Sequence, residues 1–372
     1  MGEMIPLFKV FMADTVADKV KDVLYSGFIG EGPKVVEFEN ELSKFVGNDK
    51  ILTMNSGTAA LQIAYHICLD GEKDAEIITT PITCTATNTP IITNGAKVVW
   101  ADVDPITGNI CPDSIEQKIT PKTKAIVAVH WGGNPCDMNR INQIAKKHNI
   151  KVVEDGAHSF GTIYDGSPIG NHSDFVMHSF QAIKHLTTVD GGCLITKSKE
   201  DYERAKLLRW YGISRDVNTK EVKDLRCELD VAEAGYKAHM NDVCATVGIE
   251  NLKHMDWLVS RHRENAAFYN EYFANNNNIK TVPELHNSRS AYWLYTIHVN
   301  NRDEFMEKMK NDGILVSKVH SRNDTHSMFK DSFEYLPNAE KFNETHICIP
   351  VGWWLTQEEL QYIAEKVVQH AG

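Results

Sequence analysis

The sequence predicts an α/β protein, with a large domain built on a mostly parallel central sheet flanked by helices and a smaller α+β domain after it. Three observations carry this expectation. Between about Glu76 and Thr196, short β-rich runs alternate with turn signals and helix-like segments, an interleaving that favours parallel strands covered by helices on both faces. The pattern breaks at the polar run Asn275-Asn276-Asn277-Asn278 and then restarts. A chain of 372 residues, 42% hydrophobic and 24% charged, also has enough apolar side chains for a large core divided over more than one domain.

Taken in order, the strand-like runs are Ile77-Ile78, Val98-Val99-Trp100, Ala125 to Val129, Ile150 to Val153, Phe175 to His178 and Cys193 to Ile195. Ala60, Leu61, Ala64, Ile67 and Cys68 recur at helical spacing, with Ser56 and Thr58 as cap candidates just ahead. Asp137 to His148 reads as a second helix, and Asn241 to Phe273 as one or two long ones. After the asparagine run come a strand-like Tyr292 to Val299, a helix from Arg302 to Asn311, a strand ending in Val316 and a final helix from Gln357 to Val368. The expected division is therefore 1–275 for the N-terminal segment and large domain, and 276–372 for the small one.

A formal net charge of -11 at pH 7 opposes broad attraction to nucleic acid or to an anionic membrane surface, so an anionic substrate needs local cations. The first residues lack a basic region followed by an apolar stretch, and no later apolar run is long enough to span a bilayer. The expectation is a cytoplasmic protein without a membrane partner. Eight cysteines are scattered singly, with no C-x-x-C pair and no H-E-x-x-H, which indicates neither a zinc site nor a disulfide framework.

Three segments describe a cofactor site. Asn55-Ser56-Gly57-Thr58-Ala59-Ala60 is a small-residue turn entering a helix, where backbone amides can approach a phosphate closely and the helix N-terminus favours its charge. A plain capped helix reads the same way. Val152 to His158 is an apolar strand that delivers Asp155 to its carboxyl end, where ligands of α/β sheets gather; an acid there can keep a pyridine nitrogen protonated. A helix-capping aspartate is the plain alternative. Phe175 to Leu186 places Lys184 just past a buried strand, ahead of Gly191-Gly192. A partly desolvated amine in that setting suits a Schiff-base nucleophile, although a surface lysine is commoner.

The joint order and spacing of these segments resembles the nucleotide-sugar aminotransferase family, the DegT and StrS proteins, a branch of the aspartate aminotransferase fold. The resemblance runs through Ser26-Gly27-Phe28, Gly32-Pro33 to Phe38-Glu39, Ser56 to Leu61, Ala101-Asp102-Val103-Asp104, Glu154 to His158, Ser179-Phe180 with Lys184, and Gly191-Gly192. It implies that the large domain binds pyridoxal 5'-phosphate (PLP, with its aminated form PMP), that Lys184 carries the cofactor and shuttles the proton, and that Asp155 pairs with the pyridine nitrogen. By the same resemblance His158 lies near the ring hydroxyl, Ala157 packs on one face, and Gly57, Thr58 and Ser179 hold the phosphate. It further implies a homodimer with active sites at the interface, in which the segment Gly235 to Asp242 reaches the neighbour's cofactor. Two departures stand out. Where most relatives carry an aromatic ring this chain reads Thr83-Cys84-Thr85-Ala86-Thr87, so either Cys84 gives a thinner contact or another aromatic stacks on the cofactor. Lys237 and His239 stand where many relatives have an asparagine that reaches the partner's phosphate.

Within that fold a dehydratase branch replaces the lysine by histidine. Here Ile183-Lys184-His185 keeps the lysine, which favours transamination. A regulator that only binds cofactor or sugar has no need of both Lys184 and Asp155. The string from Val316 to His326 packs cations into a predicted loop, where Arg322 and Lys318 offer contacts to a diphosphate and His320 a further one to substrate; a solvated loop is the alternative. Phe28 and Arg215 are weaker candidates for substrate contact. The family match implies transfer of an amino group from glutamate to a 4-keto-6-deoxy hexose on a nucleoside diphosphate, with a 3-keto sugar as runner-up and a surface glycan, such as O-antigen, as the destination.

Overall fold

The computed structural model describes residues 4–214 and 231–372. Its centre is a seven-stranded sheet with the spatial order Ile51–Met54, Gly192–Thr196, Phe175–Ser179, Lys151–Asp155, Thr123–Val129, Glu76–Thr79, Lys97–Trp100. Each neighbouring pair from Phe175–Ser179 to Lys97–Trp100 is parallel, whereas Gly192–Thr196 runs antiparallel to both of its neighbours. All six expected runs are strands, and the sheet extends by one more, Ile51–Met54.

The strands read as near-continuous apolar runs because both faces are covered. Ala125, Val127, Val153 and Met177 pack into one core together with the helix Gly57–Leu69. Their alternates Ile126, Ala128, Val152 and Val176 point into a second core with Pro33–Val46, Met138–His148 and Asp242–Leu252. The twofold period of a strand thus feeds two layers of helices from one sheet. Side-chain caps fix where helices begin: Ser56 accepts the Ala59 N–H at 3.1 Å and Asp137 accepts that of Arg140 at 3.1 Å, each interaction worth about 1 kcal/mol.

The C-terminal part forms a three-stranded antiparallel sheet, Lys280–Thr281, Tyr295–His298 and His346–Ile349, packed with Arg302–Asn311 and Gln357–Ala371. The helix Met255–Phe273 serves two cores, with Met255, Leu258 and Val259 in the large one and Ala266, Tyr269 and Phe273 in the small one. Trp293, Phe342 and Cys348 cross in the other direction and pack into the large-domain core. The strand expected to end in Val316 is absent. Ile314 bridges Ile5 and Ser317 bridges Cys348, and two isolated bridges to different partners cannot propagate a ladder. Among the described residues no helix is long and apolar enough to cross a membrane.

Candidate active site

The carboxyl ends of the central strands open into a cavity of about 460 Å³. Asp155 is the last residue of its strand and is buried. Its Oδ1 accepts the Ala157 N–H at 3.0 Å and its Oδ2 accepts the Thr87 hydroxyl at 2.6 Å, while Thr87 in turn meets the Thr83 hydroxyl at 2.7 Å. An ionised carboxylate has about four lone-pair sites, so capacity remains for a further donor in the cavity.

Lys184 sits on the loop between Phe175–Ser179 and Gly192–Thr196, which closes through Thr188 N–H to the Phe180 carbonyl at 2.9 Å and Lys184 N–H to the Gln181 carbonyl at 2.9 Å. Burial pushes its amine down to about 7, with Asp155 and then Cys84 opposing the shift. An amine of that kind is substantially neutral at physiological pH and can act as a nucleophile or proton carrier.

The third wall is the N-terminus of Gly57–Leu69. Helix geometry leaves the first amides without an intrahelical acceptor, and the hydroxyls of Ser56, Thr58 and Ser179 lie in the same lining. The glycines are sterically required here. A Cβ on Gly57 would lie 2.9 Å from Met177 Sδ and 3.2 Å from Ser179 Cβ, and one on Gly192 would lie 2.6 Å from the Gly57 nitrogen. His158 completes the group. Its Nδ1 accepts the Gly132 N–H at 3.3 Å, which assigns the proton to Nε2. Burial holds the ring well below the usual histidine range, reinforced by Lys184 and His320, so the neutral form is the working one.

The donor set fits pyridoxal phosphate. A cup of amides and hydroxyls suits the phosphate, a buried carboxylate suits the ring nitrogen, a neutral histidine can donate to the ring oxygen, and a depressed amine faces the same space. Ala157 and Cys84 also line the cavity.

Other sequence candidates fall elsewhere. Arg322 does not line the cavity. Its guanidinium is enclosed against Asp324 (2.5 and 3.1 Å) and Glu340 (3.3 Å), so the expected diphosphate contact gives way to an internal ion cluster. Lys318 is likewise outside the lining, and its carbonyl accepts from His346 Nε2 at 3.0 Å. His320 does line the cavity, its ring 5.7 Å from that of His158 and nearly parallel to it. Phe28 is 64% exposed and borders a separate cleft with Lys19 and Lys34. Lys237 is exposed, with its carbonyl accepting from Asn55 Nδ2 at 3.0 Å, and His239 packs edge-on against Trp210; neither lines this chain's cavity. Arg215 lies outside the described residues.

Residues the sequence reading passed over also converge here. Trp293 stacks on the His158 ring at 4.0 Å, and Phe8 stacks on Trp293 at 5.0 Å. Their one sequence signal was an aromatic at the start of the run Tyr292 to Val299, which reads equally as strand core.

The chain belongs to the DegT/DnrJ/EryC1/StrS aminotransferase family, which it matches over residues 11–368. It is 33% identical over 361 residues to the spore coat polysaccharide biosynthesis protein SpsC of Bacillus subtilis, covering 94% of this chain and 92% of that one. The structure superposes on the sugar aminotransferase CalS13 from Micromonospora echinospora with a TM-score of 0.94 at 37% identity, covering 98% and 100% of the two chains. The PLP form of Spr1654, a Streptococcus pneumoniae protein, superposes with a TM-score of 0.90 at 27% identity, covering 99% and 98%. The enzyme is a sugar aminotransferase of fold type I.

Proposed function

We propose that this family member uses pyridoxal 5'-phosphate to move an amino group from glutamate to C4 of a 4-keto-6-deoxy hexose linked to a nucleoside diphosphate, in the cytoplasm and in the service of a surface glycan. The observation that carries the reading is the convergence of the depressed Lys184 amine and the buried Asp155 carboxylate on one cavity. When bound, the cofactor supplies an electron-withdrawing ring that stabilises negative charge developing at the substrate carbon.

The chain's residues do the rest. Gly57, Thr58 and Ser179 bind the phosphate. Asp155, braced by Thr87 and the Ala157 amide, presents its carboxyl group where a protonated ring nitrogen is needed. His158 donates from Nε2 because Gly132 occupies Nδ1. Lys184 Nζ would move the proton between the bound cofactor and the substrate carbon, taking it from the amino-donor carbon in one half of the reaction and supplying one to the sugar carbon in the other, a task suited to an amine titrating near neutrality. His320, also lining the cavity, is held neutral with its pKa pushed down to about 4, chiefly by burial, and offers a hydrogen-bonding ring to the sugar.

A diphosphate needs cations, and Lys184 is the one Lys or Arg among the described residues of the lining. A second copy of the chain is the proposed source of further charge at the site, and its Lys237 and His239 would reach this chain's cofactor phosphate. Tyr25, Phe28, Ile29 and Val189, which are 85%, 64%, 56% and 57% exposed, supply apolar surface for such an interface. The reading is tested by an amination assay with glutamate and a panel of nucleotide-linked 3-keto and 4-keto sugars. Amination of a 4-keto member is expected. A product aminated at C3 would move the assignment to the 3-keto class, a dehydrated product would move it to the dehydratases, and silence across the panel would remove the nucleotide-sugar substrate.

A further inference from the structure

We propose that Trp293 is the positioning residue for Lys184, its indole N–H fixing the peptide on which the lysine is carried and its ring face holding the amine over the cavity. The inference rests on Lys184 being the cofactor lysine, as proposed above.

Two contacts from one side chain support it. The indole Nε1–H donates to the Ile183 carbonyl at 2.8 Å, one residue before the lysine. Lys184 Nζ then lies 3.5 Å from the centre of the same ring. The face of an indole carries negative quadrupole density, so it attracts an ammonium and accepts an N–H from the neutral amine more weakly. Lys184 N–H also donates to the Gln181 carbonyl at 2.9 Å, so the Ile183–Lys184 peptide is gripped at both ends, and Ile183 N–H donates to the Gln181 side chain at 3.1 Å.

Trp293 is itself over-determined, as a positioning group must be. It is 3% exposed, between a left-handed Tyr292 (φ +49°) and a Leu294 whose N–H donates to the Gly132 carbonyl at 3.1 Å. His262 Nδ1 meets the Tyr292 carbonyl at 2.8 Å. Phe8 and His158 both stack on the indole, so any shift of the ring would disturb the N-terminal segment and the cofactor-facing histidine together. The sequence separation from Ile183 is 110 residues, so the small domain reaches across to set the geometry of a large-domain loop.

The charged and titratable groups facing the amine are Asp155, Cys84, His158, His185 and His320. None of these is replaced by substitution at Trp293, and His158, which stacks on the indole, is the one whose packing the substitution changes; Trp293→Phe keeps a ring there. Pyridoxal phosphate is added to the full-length, cofactor-free chain between pH 5.5 and 9.5, and the rate of growth of the protein-bound absorption band is recorded. Trp293→Phe keeps a ring face but loses the N–H, and its plateau rate at high pH is expected to fall about tenfold. Trp293→Leu keeps apolar bulk without a face; its plateau falls further, and its midpoint moves to lower pH by roughly half a unit to one unit as the ammonium loses its ring. A midpoint that climbs instead toward the ordinary lysine value overturns the proposal, because it shows that Trp293 only keeps water out. A plateau equal to the parent's in both variants also overturns it. If Trp293→Leu does not fold by circular dichroism, Trp293→Phe decides by the same plateau. Lys184→Met serves as the separate control: capture at the parental rate in that variant would remove Lys184 as the cofactor lysine, whatever Trp293 does.

Discussion

Lys184 and Arg322 are both basic side chains withdrawn from solvent, one lining the cavity and the other outside it, and their surroundings send them to opposite roles. Lys184 has Asp155 in its field and an indole face beneath it, and burial outweighs both, so its proton is held loosely. Around Arg322 burial also works against the charge, but bidentate contact with Asp324 and a further one with Glu340 reverse the balance and raise its pKa. Carboxylates packed directly against a buried cation make it part of the scaffold. Desolvation without such contacts makes it reactive.

The strongest way to break this comparison is at the reactive end. Lys184→Met is expected to abolish the protein-bound cofactor band and reduce turnover by at least about 10³-fold; band and turnover surviving together would mean the amine has no chemical role. At the scaffold end, Arg322→Met strands Asp324, which is 1% exposed, as a buried charge. The expected loss is about 3–5 kcal/mol of stability in denaturant unfolding, with KM for the sugar nucleotide unchanged in the protein that folds. A raised KM with intact stability would return Arg322 to the substrate side.

The comparison sharpens with pH. His262, His320 and His346 are pushed down to about 4, mainly by burial. Their folded pKa values lie below the unfolded 6.5, so the unfolded chain binds more protons between those limits. Stability therefore falls as pH drops from 6.5 toward 4, by up to about 1.4 kcal/mol per pH unit for each histidine. Melting temperatures across that window check the sign, and a flat profile would show that these rings are solvated. The smallest effect is expected at the proposed phosphate cup: Gly57→Ala forces a methyl against Met177 and Ser179. A weakening of cofactor affinity by about tenfold, read by titration, corresponds to ordinary overpacking of 1–3 kcal/mol.

Much of the site was legible because its signals are local. Ser56-Gly57-Thr58 announces a capped helix with a close approach, Asp155 ends an apolar run of strand character, and Lys184 follows another by a few residues. The family resemblance joined the three, and the cavity brings them together. Arg322 was misread although its main partner, Asp324, is two residues away: the sequence displays the neighbour but not the burial that turns proximity into a committed ion pair. Trp293 read locally as ordinary strand core, since its significance lies in contacts with Phe8, His158 and Ile183, far away in the chain. The strand expected at Val316 failed for the same reason, because pairing depends on what lies alongside.

By itself the sequence determined the alternation of strands and helices, and with it a mostly parallel sheet that carries Asp155 at a strand's carboxyl end, because period and capping act over a few residues; the resemblance to a family added Lys184 to the same site. Tertiary structure alone decided that Gly192–Thr196 runs against its neighbours, that Arg322 is neutralised internally and that the Trp293 indole lies beneath the lysine. Those outcomes depend on desolvation and on which elements come to lie side by side, which no stretch of chain encodes alone.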